Sequence, residues 1–187
     1  MASLNDYLTE KREALAARGA RIESGELAVT PLRAQVSAEG RSGVRRIRIR
    51  DHQVVTDSPP DFAGYDLGPT SPELQLGILG SCLAHSYLIQ AALLGVDVSA
   101  LDVEVTGELD ARAGRPGFEA VPVSPHALAY TVHIVSAAPR EAVLRLEAEV
   151  ERACPILNLL RNAQTIRGAV EHRAPPASAA PVRPRAA

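Results

Sequence analysis

The chain predicts an α+β fold, and three observations carry that expectation. Its elements run helix, two or three strands, one long helix, three strands, helix, strand, which is not the regular alternation of a doubly wound sheet. The segment 72–95 is apolar nearly all round, as a core helix is. The strand-like runs Arg45–Arg50 and Leu101–Leu109 instead alternate apolar with charged or polar residues, so each should turn one face to a core and one to water.

Taken in order, residues 3–18 read as a surface helix with Ser3 as N-cap, a stripe of Leu4, Leu8 and Leu15, and Gly19 as the stop. Residues 26–38 and 44–56 read as strands, with a turn at Asp51-His52-Gln53, and 58–70 as a Pro/Gly/Asp loop. Ser71-Pro72-Glu73 supplies a cap, a first-turn proline and a carboxylate at the positive end of the long helix, and Gly95 a stop. Strands are expected at 101–109, near 118–123 and at 128–136, around a turn at 111–118. A helix over 140–153 places Val143, Leu146, Val150 and Cys154 on one inward face. Pro155 breaks that helix, a short helix follows at 156–160, and 165–171 reads as a last strand. Three parts result: a helical extension over 1–25, a domain over 26–173, and a Pro/Ala-rich tail over 174–187 expected to be disordered.

Composition limits the function. The 187 residues are 46% hydrophobic and 3% aromatic without Trp, so an aliphatic core is large enough to need no staples. A formal net charge of −2 argues against nucleic acid as a partner. The N-terminus lacks the pattern of a secretory signal, and no apolar stretch is expected to reach membrane-spanning length. A cytoplasmic location with no membrane partner follows as the expectation, and there two cysteines are reactive thiols or inert ones sooner than a structural disulfide.

Those cysteines are the chemical candidates. Cys82 lies in the apolar helix beside Gly77, Gly80 and Ser81, which leave room at the thiol; an inert core cysteine is the competing interpretation. Cys154 ends a helix against Pro155, so its thiol sits at an element end. The two are too distant in sequence for a local metal knuckle, and the scattered histidines add no zinc pattern. His85, three residues after Cys82, could meet it on the helix surface, although a partly buried imidazole bonded to a carbonyl is the simpler expectation. Glu73, nine residues before Cys82, lies roughly 13 Å away along a helix and could reach the thiol only through an arginine.

Gly68-Pro-Thr-Ser-Pro-Glu73-Leu, followed by Ser81-Cys82, resembles the Gly-Pro-x-Pro-x-Glu-Leu…Gly-Ser-Cys stretch of the OsmC-like family, which includes the organic hydroperoxide resistance proteins. Cys154-Pro-Ile-Leu-Asn-Leu-Leu160 resembles that family's second-cysteine motif, and the likeness extends over about residues 28–172. It implies antiparallel sheets packed on long buried central helices in an intertwined homodimer, and a thiol peroxidase for organic hydroperoxides with no metal or bound cofactor. Cys82 would be the peroxidatic thiolate, Cys154 the resolving thiol, and Glu73 the carboxylate that holds an arginine over the thiolate. Arg41, in a Gly-Arg-x-Gly context, is the first candidate for that arginine, in competition with Arg33, Arg45, Arg46, Arg48 and Arg50. An external dithiol would reset the pair. A pocket lined by Leu76, Leu79 and Leu83 should favour alkyl over hydrogen peroxide. The alternatives are a non-catalytic protein of the same fold that binds an apolar small molecule at the dimer interface, and a purely structural dimer with inert thiols.

Overall fold

The computed structural model describes residues 3–41 and 43–174; the proline-rich tail from 175 onward lies outside them. Helix α1 (Leu4–Glu23) opens with a capping box, in which the Ser3 hydroxyl accepts from the Asp6 N–H while the Asp6 carboxylate accepts from the Ser3 N–H. It runs through Gly19 and ends at Ser24, ahead of Gly25 at φ +79°. One interior glycine costs a helix about 1 kcal/mol, too little to stop it where packing continues. Leu8 is buried, Arg12 Nε donates to the Ala92 carbonyl at 2.8 Å, and the Val98 N–H donates to Asn5 Oδ1 at 2.8 Å, which together dock α1 against the C-terminal end of the long helix.

Strands β1 (Gln35–Glu39), β2 (Val44–Ile49) and β3 (His52–Thr56) form an antiparallel sheet in that order. The run expected over 26–38 is a strand only at its end, because a strand needs a ladder partner and β2 offers one only to 35–39. The next run is a hairpin that turns at Arg50-Asp51, with Arg50 at φ +54°, so that His52 and Gln53 already pair with β2. After β3 the buried Asp57 organises the loop. Its Oδ2 accepts the N–H groups of Tyr65 at 3.0 Å and Leu67 at 3.2 Å, and Arg45 donates to its carbonyl at 2.8 Å. Burial pushes the Asp57 carboxyl up in pKa, but backbone N–H groups led by Ser58, with the Arg45 charge, hold it below its ordinary value.

Helix α2 (Ser71–Leu94) follows, with Thr70 rather than Ser71 as N-cap and Gly95 at φ +67° as its left-handed end. Among the described residues this is the one helix long and apolar enough to cross a membrane, which corrects the expectation that no segment would be. In the fold it is the core: α1, strand β4 (Ala100–Glu108) and helices α3 (Arg140–Ala153) and α4 (Pro155–Arg161) pack around it. Strand β5 (His126–Val135) pairs antiparallel with β4 and turns Tyr130, Val132 and Ile134 inward beside Leu101, Val103 and Val105. Gly80 lets α2 lie close on that sheet, for a Cβ there would sit 3.3 Å from Val105 Cγ2.

The strands expected near 118–123 and over 165–171 are absent. The first run is part of a turn-rich connection, and the second is exposed coil with no ladder partner among the described residues. The main core holds Leu79, Leu83, Tyr87, Val98, Leu146 and Val150. The β1–β3 sheet contributes nothing to it and leaves Val36, Ile49 and Val54 exposed.

Candidate active site

The α3–α4 corner brings the two cysteines together. Leu146 and Val150 bury the inward face of α3, and the same helical period carries Cys154 into the core at 0% exposure. At Cys154 the backbone is extended, φ −68° and ψ 114°, and Pro155 restarts the chain as α4. The break faces the middle of α2, and the Cys154 Sγ lies 3.5 Å from the Cys82 Sγ. Both cysteines are free thiols.

Their environments differ. Cys154 is enclosed, whereas Cys82 is half-buried and lines an open groove of about 500 Å³ with Leu74, Gly77, Ile78, Ser81 and His85. A reagent from solvent therefore meets Cys82 first. The groove also corrects the expected pocket wall. Leu79 and Leu83 point into the core, and Leu76 faces Glu108 and Pro125 on the sheet side. Leu74 and Ile78 supply the apolar wall.

Burial pushes the Cys82 thiol above its ordinary pKa. The Ile156 N–H opposes that shift by donating to the sulfur, the neighbouring Cys154 adds to it, and the Ser86 hydroxyl, one turn on, opposes it again. Among the described residues no arginine acts on this thiol. His85 is exposed at the groove, yet partial desolvation of its ring, with the Lys11 charge, holds its pKa below the ordinary value, so the imidazole is neutral near pH 7 and adds no cation.

Glu73 and Arg41 lie elsewhere within the chain. Glu73 completes the capping box of α2: its Oε2 accepts from the Thr70 N–H and hydroxyl, each at 2.7 Å, and these bonds hold its pKa below the ordinary value. Arg41 is exposed in the turn between β1 and β2, and no hydrogen bond or ion pair among the described residues joins it to Glu73 or to either cysteine. The other strand arginines are engaged locally, Arg45 with Ser58 and the Asp57 carbonyl, and Arg46 and Arg48 with Glu39.

Residues that sequence reasoning passed over complete the corner. Tyr130 donates to Glu151 Oε1 at 2.5 Å, and Arg161 reaches the same oxygen at 3.1 Å, so β5, α3 and α4 are tied beside Cys154. Asn158 Nδ2 contacts three main-chain carbonyls at the α3 end. The available signal was Pro155, because a proline inside a helical run orphans carbonyls that a nearby polar side chain must take.

Antiparallel sheets with a central apolar helix carrying one cysteine and a broken helix presenting the other define an OsmC-type α+β protein. The sequence model described as OsmC-like protein matches residues 64–167, and the chain belongs to that family. An OsmC-like protein from Mycoplasma pneumoniae is similar in structure, with TM-score 0.61 at 14% identity over 72% of this chain and 89% of that one. An organic hydroperoxide resistance protein OsmC from Legionella pneumophila gives TM-score 0.51 at 17% identity over 72% and 92%. An OsmC-like protein from Vibrio cholerae gives 0.52 at 12% identity over 70% and 93%. At these identities the likeness establishes the fold alone. Among the curated proteins none matches the chain.

Proposed function

We propose that this protein is a thiol-dependent peroxidase that reduces organic hydroperoxides through a cycle of Cys82 and Cys154. The observation that carries the proposal is the 3.5 Å contact between one groove-lining and one enclosed sulfur. The Cys82 thiolate attacks the terminal oxygen of the hydroperoxide. The O–O bond breaks, the alkoxide leaves and takes a proton to become the alcohol, and Cys82 becomes a sulfenic acid. The Cys154 sulfur then attacks the sulfenic sulfur. The S–O bond breaks, hydroxide leaves with the thiol proton as water, and a disulfide joins the two helices. An external dithiol reduces the disulfide by exchange, which suits a reducing cytoplasm. The cycle requires no metal or bound cofactor.

The attacking thiol must ionise, yet burial raises its pKa and among the described residues no guanidinium acts on it. We place the missing cation on a second copy. The unpacked β1–β3 sheet carries Arg41 on its first turn, and the α2 groove is open, so a homodimer that lays the sheet of one protomer over the α2 of the other brings an arginine to Cys82 and a partner to Glu73. One observation favours the non-catalytic alternative: a thiol held protonated beside an apolar groove suits retention of an apolar molecule as well as attack. Mixing reduced protein with limiting cumene hydroperoxide separates the two. The peroxidase consumes two thiols per peroxide and releases one alcohol; a binding protein leaves both thiols titratable.

A further inference from the structure

We propose that Asn158 is the positioning residue of the resolving thiol, a role that rests on the two-cysteine cycle above. In an unbroken helix the N–H of residue 155 would bond the Glu151 carbonyl and that of residue 156 the Arg152 carbonyl. Pro155 has no N–H, and the Ile156 N–H, in the first turn of α4, does not bond the Arg152 carbonyl. Asn158 takes over both orphans. Its Nδ2 lies 3.1 Å from the Glu151 carbonyl oxygen and 3.3 Å from that of Arg152, with a third contact of 2.9 Å to the carbonyl of Cys154 itself. All three neighbours are acceptors, which fixes the amide with its nitrogen toward them. The backbone N–H of Asn158 also donates to the Cys154 carbonyl, at 3.1 Å.

The exchange has two effects on the reacting atoms. The Cys154 carbonyl is held by the Asn158 side chain and main chain, so the Cα–Cβ bond that aims the Cys154 Sγ at Cys82 has little freedom. The Ile156 N–H is left out of helical bonding and works against the burial that raises the pKa of the sulfur on which the sulfenic acid forms. Disulfide closure needs the sulfurs to move from contact to about 2.05 Å, and it is fastest when their encounter geometry is already set. Asn158 therefore acts on closure and hardly on the first attack, which takes place on the α2 side of the pair.

The test uses the full-length protein and its Asn158→Ala and Asn158→Ser variants. The Cys82–Cys154 disulfide is equilibrated against dithiothreitol redox buffers to obtain the effective concentration of one thiol at the other. In parallel, single-turnover mixing with cumene hydroperoxide follows sulfenic acid on Cys82 by dimedone trapping, and closure by intact mass. Loss of buried hydrogen bonds should lower the effective concentration and the closure rate of the alanine variant by about tenfold or more, while the first attack changes by no more than about threefold. Serine retains one donor able to reach a carbonyl one turn back and should recover part of the loss. A purely structural role predicts a lower melting temperature with closure and first attack reduced alike, and that result, or an effective concentration within about twofold of the parent, overturns the proposal. If the alanine variant does not fold, the serine variant carries the same comparison. A parent protein inert to hydroperoxide would defeat the peroxidase reading and leave the redox equilibrium to judge Asn158 alone.

Discussion

The Cys82 and Cys154 sulfurs touch at 3.5 Å although one belongs to the middle of α2 and the other to the break between α3 and α4. That is a contact between thiols, about 1.5 Å longer than a disulfide bond. One sulfur faces a groove and the other is enclosed, the asymmetry on which the proposed order of attack and resolution rests.

The cysteine variants should separate the steps. Cys154→Ser is expected to form a dimedone-trappable sulfenic acid with one equivalent of organic hydroperoxide and then stall. Cys82→Ser should lose peroxide consumption to the uncatalysed rate. Retention of turnover by Cys82→Ser is incompatible with the assignment.

Substrate preference follows from Leu74 and Ile78 along the groove. Two or three methylenes buried at about 0.8 kcal/mol each predict roughly a ten- to hundred-fold higher second-order rate constant for cumene hydroperoxide than for hydrogen peroxide. Gly77 lines the same groove, and a Cβ there meets no atom within 4 Å. Gly77→Ala should therefore stabilise α2 by about 0.5–1 kcal/mol while slowing bulky peroxides more than hydrogen peroxide. Equal slowing of both substrates would remove the groove from the account.

The thiol titration tests where the cation comes from. Within one protomer Cys82 is pushed above the ordinary thiol pKa by burial. If a second copy supplies a guanidinium, thiolate absorbance at 240 nm should instead appear below the ordinary value of about 8.5 in the assembled protein. In that case Arg41→Ala should move the inflection upward and slow peroxide attack together. An Arg41 variant with an unchanged titration shifts the role to another arginine.

Assembly itself is the fourth expectation. Val36, Ile49, Val54, Phe62, Tyr65 and Ile78 are exposed, and large exposed apolar patches mark interaction surfaces. Sedimentation equilibrium at micromolar concentration should give a dimer. A folded, stable monomer would sink both the dimer and the trans supply of arginine.

Glu151 predicts a pH dependence of the corner. Its folded pKa is depressed, first by the Tyr130 hydroxyl and then by Arg161. Its contribution to stability is therefore present above the ordinary glutamate pKa of about 4.3 and is lost as pH falls through the lower folded value. The melting-temperature difference between the protein and Glu151→Gln should be largest near neutrality and shrink below about pH 4. Because Glu151 and Arg161 are both partly exposed, salt should reduce it too. A difference constant down to acid would take Glu151 out of this role.

Elements with a local cause are legible from the residues alone. The all-round apolar run with Pro72 near its start and Gly95 at its end specifies α2, and the period of Val143, Leu146 and Val150 carries Cys154 inward before any partner is known. Two motifs around two cysteines were enough to indicate the family. Features that depend on a packing partner emerge only in the folded chain. Residues 26–34 and 165–171 have strand-like composition but, among the described residues, no neighbour to complete a ladder, so they are not strands. Glu73 could cap its own helix or hold an arginine, and in the folded chain the Thr70 groups beside it receive its carboxylate. Which leucines wall the groove depended on which side of α2 the sheet and α3 cover, and a helix apolar on every side does not encode that. The 3.5 Å approach of the sulfurs is likewise tertiary, because it brings the Pro155 break against a helix remote in sequence.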